Sequence, residues 1–134
     1  MAIAPRMETR VLLIGLDEGL ANELGNALSH LDSKVKAQNV KDAAGVEKGQ
    51  LETADCVFCP SEAVQLKSLL QTLHNRCPDL PVIAVTRHPD DFEWIRAMDA
   101  GATDYCSTPF EPVHVDWILR NNQRNSRTVA VSGS

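Results

Sequence analysis

No apolar run in this sequence approaches the ~18–20 residues of a bilayer-spanning helix, and the start, Met1-Ala2-Ile3-Ala4-Pro5-Arg6-Met7, has no apolar leader. Both absences lead to the expectation of a cytoplasmic protein without a membrane span. Positive charge is also scarce. The 13 Lys+Arg are outnumbered by 18 Asp+Glu, the net charge is -5, and no basic cluster stands out. This balance disfavours a general attraction to nucleic acid or to an anionic membrane. No pair of helices carries a DNA-reading pattern, so nucleic acid is not an expected partner. His30, His74, His88 and His114 are scattered without metal-ligand spacing, and neither a metal nor a cofactor is expected. Cysteine is limited to Cys56, Cys59, Cys77 and Cys106. The first two have C-x-x-C spacing, but inside a strand they project to opposite faces, which suits buried structural thiols and not a redox or zinc pair.

The 134 residues, 43% of them hydrophobic, are enough for one buried core, and one compact domain is expected. Arg10-Val11-Leu12-Leu13-Ile14-Gly15 reads as a strand buried on both faces. Asp17 caps a following helix with the stripe Leu20, Leu24, Leu28 and Leu31. Lys34 to Asn39 alternates like an edge strand, and a weak helix is expected from about Val40 to Lys48. Ala54-Asp55-Cys56-Val57-Phe58-Cys59-Pro60 is a buried central strand, after which Ser61 is placed to cap a helix with the stripe Leu66, Leu69, Leu70 and Leu73. Val82 to Thr86 is another buried strand. Pro89 to Ala100 reads as a helix stopped by Gly101, Thr103 to Ser107 as a short strand, and Pro112 to about Arg124 as the last helix. Five β-α units with short connections predict a parallel sheet covered on both sides.

The last helix has more apolar surface than one buried face needs. Phe92, Trp94, Met98, Val113 and Trp117 are the candidate interaction surface, formed by the last two helices and the strand between them. The alternative is that the tryptophans cover edges of the core.

From about residue 9 to 124 the chain resembles the receiver domain of two-component response regulators. The resemblance is carried by Pro78-Asp79-Leu80-Pro81-Val82-Ile83-Ala84-Val85-Thr86 and by Ala100-Gly101-Ala102-Thr103-Asp104-Tyr105-Cys106-Ser107-Thr108-Pro109-Phe110. It implies a flavodoxin-like (βα)5 three-layer sandwich, with a five-stranded parallel sheet in the order 2-1-3-4-5. It also implies a site: an acidic metal-binding pair, a phosphoacceptor aspartate, a hydroxyl and a lysine. Here the acidic pair falls on Gly15 and Leu16, with Asp17 one step beyond. The phosphoacceptor falls on Pro60 and the lysine on Thr108. Only Thr86 and the switch aromatic Tyr105 match. The resemblance thus implies a degenerate receiver without phosphoryl transfer and not an enzyme. Asp17, Glu18 and Glu62 are the residues left for residual metal binding, although helix capping and solvated first-turn charge account for them; Ser61 is a minor alternative phosphoacceptor.

The tail, Thr128-Val129-Ala130-Val131-Ser132-Gly133-Ser134, resembles the first strand and opening glycine of the MinD/ParA-type ATPases, with 125–134 as linker and start of such a domain and 1–8 as an N-terminal extension. A degenerate receiver before a MinD-like ATPase resembles the Tad (Flp) pilus assembly ATPases, which act at a cell pole. The expected function is therefore phosphorylation-independent docking of protein partners, or homodimerisation, in pilus assembly or secretion. The alternative is a regulatory input domain of a two-component-type signalling or transcription regulator, with residual phosphoryl or metal binding.

Overall fold

The computed structural model describes residues 8–31, 34–42, 45–88 and 90–122. Its elements follow in strict alternation: β1 (Glu8–Ile14), α1 (Glu18–Ser29), β2 (Lys34–Val40), α2 (Lys48–Thr53), β3 (Cys56–Pro60), α3 (Ala63–Arg76), β4 (Val82–Thr86), α4 (Asp91–Ala100), β5 (Asp104–Ser107) and α5 (Pro112–Asn121). The strands form one sheet in the order β2-β1-β3-β4-β5, with every neighbouring pair parallel. The expected fold and strand order are both observed.

Alternation along the central strands explains the two cores. Val11 and Leu13 of β1 join Cys56 and Phe58 of β3 on the face covered by α1 and α5, where Leu20, Leu24, Leu28, Val115, Ile118 and Leu119 pack. Leu12, Ile14, Val57 and Cys59 point to the other face and meet Leu51, Leu66, Leu70, Leu73 and Ala97 from α2, α3 and α4. Cys56 and Cys59 thus lie in different cores, as the strand period requires. Burial pushes their thiols up, that of Cys59 to about 12, and the same cause acts on Cys106. Among the described residues no disulfide joins the cysteines.

The second helix departs from expectation. Val40 remains in β2 opposite Ile14, and its carbonyl accepts from Gly15 N at 2.9 Å. Gly45 N donates to the Asp42 carboxylate at 2.9 Å, which holds this stretch in a turn. The helix starts only at Lys48, where the Gln50 side chain accepts from Glu47 N at 2.8 Å. The ladder and the turn therefore claim the residues whose helical propensity was already low. The last helix is also shorter than expected. Asn122 closes it, donating to Ile118 O at 2.9 Å and to the Asp104 carboxylate at 2.8 Å. Residues 1–7 and 123–134, with the expected extension, linker and ATPase start, lie outside the described residues, as does Pro89.

Candidate functional site

Strand order reverses between β1 and β3, so the carboxyl ends of these strands border the crevice where an open α/β sheet gathers its chemistry. Gly15 turns the chain there with φ 74, a conformation that disfavours a side chain. Pro60 ends β3 opposite it, its ring carbons 3.6 and 3.8 Å from where a Cβ on Gly15 would stand. Leu16 is partly buried and packs against the first core. Apolar and backbone atoms therefore occupy the two strand ends nearest the switch point.

The polar groups of the crevice are engaged with each other. Asp17 caps α1 by accepting from Leu20 N at 2.9 Å, and it also receives both terminal nitrogens of Arg87 at 2.5 and 2.8 Å. The Arg87 hydrogen bond, followed by that of Leu20, holds the Asp17 carboxyl well below the usual carboxylate range. Thr108 lies across the same opening, its N–H on Thr86 O at 3.1 Å and its hydroxyl 3.4 Å from Arg87 O. Glu18 and Glu62 are exposed. Among the described residues no three His, Cys, Asp or Glu side chains gather as a metal-ligand set. In Arg87→Gln, the Asp17 carboxyl is expected to titrate closer to the ordinary range, because its strongest hydrogen-bond donor is gone. An NMR titration of the Asp17 side-chain carbon checks this, and an unmoved midpoint counts against it.

A second cluster lies deeper, and sequence reasoning missed its central residue. Glu93 of α4 accepts from Ser61 Oγ at 2.9 Å and from Tyr105 OH at 2.8 Å, both on the same carboxylate oxygen. The Thr86 hydroxyl lies near this carboxylate and favours its charge, and it accepts from His88 N at 3.0 Å. Burial works against the charge on Glu93, but the hydroxyls of Tyr105, Thr86 and Ser61 outweigh it and hold its pKa below the ordinary value. Burial, the hydrogen bond to Glu93 and its charge push the Tyr105 phenol up to about 12.

The carboxylate thus ties the ends of β3 and β4 to β5 and α4. Ser61 was expected to cap α3. Instead Glu62 occupies the N-cap position without a side-chain bond, because the Ser61 hydroxyl points under α4. The sequence signal at Glu93 is its three-residue spacing from the α4 cap Asp90, which suggests a capping box. The long-range hydroxyls outcompete that local role.

Beside this cluster, α4 and α5 present apolar side chains to solvent. Trp94 is 49% and Trp117 57% exposed, too open for residues that only cover core edges, and Phe92, Ile95 and Val113 are exposed with them. Met98 is the exception among the expected surface residues. It is partly buried against the second core, because α4 packs against α3 along that side.

No family model matches the chain. Over 111 residues it is 35% identical to the C4-dicarboxylate transport transcriptional regulatory protein DctD of Pseudomonas aeruginosa, covering 77% of this chain and 22% of that protein. The chain therefore spans less than a quarter of the curated relative it matches. Among solved structures, a response regulator receiver domain protein from Clostridium thermocellum aligns with TM-score 0.72 and 17% identity, over 91% of this chain and 98% of that one. The cpaE protein of Burkholderia thailandensis, described as a pilus assembly protein, aligns with TM-score 0.66 and 17% identity over 85% of this chain and 97% of that one. The CheY-like protein tadZ of Pseudomonas aeruginosa aligns with TM-score 0.63 and 21% identity over 84% and 98%. At these identities the structural likeness concerns the backbone path. With its five parallel strands in the order β2-β1-β3-β4-β5, the chain has the receiver-domain fold of response regulators.

Proposed function

We propose that the chain is a phosphorylation-independent pseudo-receiver, a non-enzymatic module that docks protein partners through α4, β5 and α5 in pilus assembly or secretion. The observation that carries this reading is Pro60 at the end of β3, packed toward Gly15. A proline ring has no carboxylate to accept a phosphoryl group, and Gly15 and Leu16 offer no oxygen side chains for the accompanying metal. The Glu93 cluster supports the same conclusion, since Tyr105 is already held by a resident carboxylate beside Thr86. The likeness to cpaE and tadZ supports the assembly context, as does the resemblance of the tail to a MinD/ParA-type first strand. A second reading, a regulatory input domain, is favoured by the identity to DctD.

Beryllofluoride or phosphoramidate with Mg²⁺ tests the first reading. Tryptophan fluorescence is expected to show no saturable change, and intact mass no hydroxylamine-sensitive phosphoryl adduct. A saturable response or such an adduct transfers support to the regulatory reading.

A further inference from the structure

The exposed face has a charged end. Where the start of α4 meets β5 and α5, Asp90, Asp91, Phe92, Trp94, Tyr105 and His114 line an open groove of about 690 Å³, and among the described residues no lysine or arginine lines it. Asp90 is partly committed, accepting from Phe92 N at 2.7 Å. Asp91 is exposed and makes no ion pair among the described residues. The Tyr105 hydroxyl is fixed on Glu93 at 2.8 Å, so the inner wall is anchored and not free to reorient.

These groups select one kind of occupant. An aromatic face attracts a cation through its quadrupole, and a guanidinium can stack on the ring while pairing with a nearby carboxylate. The positive end of the α4 dipole opposes a cation, but two carboxylates beside it reverse the local sign. A second copy docking about a two-fold axis through this groove would bring its own Asp90 and Asp91 against the first pair, a like-charge arrangement that costs affinity. A nucleic acid backbone meets the same repulsion.

The geometry points to an arginine-docking groove: a protein partner inserts an arginine side chain of an exposed segment between the start of α4 and the β5–α5 edge. This inference rests on the proposed docking role of the face and adds the partner's chemistry.

The 134-residue chain titrated with acetylated tetra-arginine amide in low salt, followed by calorimetry, tests it, with tetra-lysine and tetra-glutamate peptides in parallel. Saturable binding of tetra-arginine is expected, weaker for tetra-lysine and absent for tetra-glutamate. Trp94→Leu and Asp91→Asn are each expected to weaken it about two- to fivefold, the range of an exposed cation–π contact or ion pair. Glu18→Gln removes the same charge from the exposed start of α1 and is expected to leave affinity nearly unchanged; circular dichroism checks that each variant is folded. Equal losses in Asp91→Asn and Glu18→Gln, or none in Trp94→Leu, would show unspecific attraction and overturn the inference. If tetra-arginine does not bind but ultracentrifugation shows a dimer that Trp94→Leu disrupts, a second copy occupies the groove. The arginine chemistry then falls, while the docking role of the face stands.

Discussion

Glu93→Gln is expected to lower the Tyr105 pKa from about 12 toward the ordinary phenol value, and to destabilise the chain by about 1–3 kcal/mol at pH 7 through weakened charge-assisted hydrogen bonds. Glutamine keeps one acceptor oxygen in place, so the loss comes from the charge and not from an empty space. The pH dependence has a definite sign. The folded-state pKa of Glu93 is depressed, so its stabilisation is fully present above the unfolded value and is lost as pH falls through the folded one. The stability gap between the native chain and the variant should therefore be open at neutral pH and narrow in acid.

Tyr105 acts at the other end of the scale. Its unfolded form ionises near ~10, whereas the folded phenol holds its proton to about 12, so native stability should decline as pH rises between these values. Urea unfolding across pH, with ultraviolet titration of the phenolate, measures both effects. A gap that stays constant into acid, or an unmoved phenolate midpoint, would contradict the carboxylate's role.

The largest loss of stability is expected at Phe58→Ala, about 3–5 kcal/mol, against the ~5–15 kcal/mol that holds a typical domain together. The Phe58 ring is 0% exposed. It lies in the central strand between Leu13 and Ile83, in the core under α1 and α5. Removing it leaves a cavity that three rigid strands and two helices cannot close. Val113→Ser is the counterpart on α5, where an 83% exposed side chain predicts a change within about 0.5 kcal/mol. Denaturant midpoints compare the two. Similar losses at both positions would mean that the α5 face is covered in the monomer, which would remove the docking surface.

The local pattern of residues determined most of the architecture. Continuous apolar runs at Val11–Ile14 and Val82–Val85 can be buried on both sides only in a covered parallel sheet, and the leucine spacing of α1 and α3 leaves one face for packing. The same local reading placed Cys56 and Cys59 on opposite faces, because strand period depends on nothing distant. It also put an apolar ring, Pro60, at the end of the central strand and the exposed tryptophans on the last two helices.

What tertiary structure alone decided are pairings between segments far apart in the chain. Ser61 and Glu93 are 32 residues apart, and Asp17 and Arg87 are 70 apart; neither separation leaves a periodic trace. Locally, Ser61 and Glu93 read as helix-start residues, and folding reassigns both because burial makes a shared hydroxyl–carboxylate cluster more favourable than separate caps exposed to water. Met98 was reassigned for a related reason: its hydrophobicity fits either face, and only the course of α4 against α3 and the sheet turns it inward. The start of α2 was settled by competition, since the β1–β2 ladder retained Val40 before a helix could use it. Apolar rhythm thus specified where the chain is buried, while the partners of its polar side chains emerged only once the strand ends were brought together.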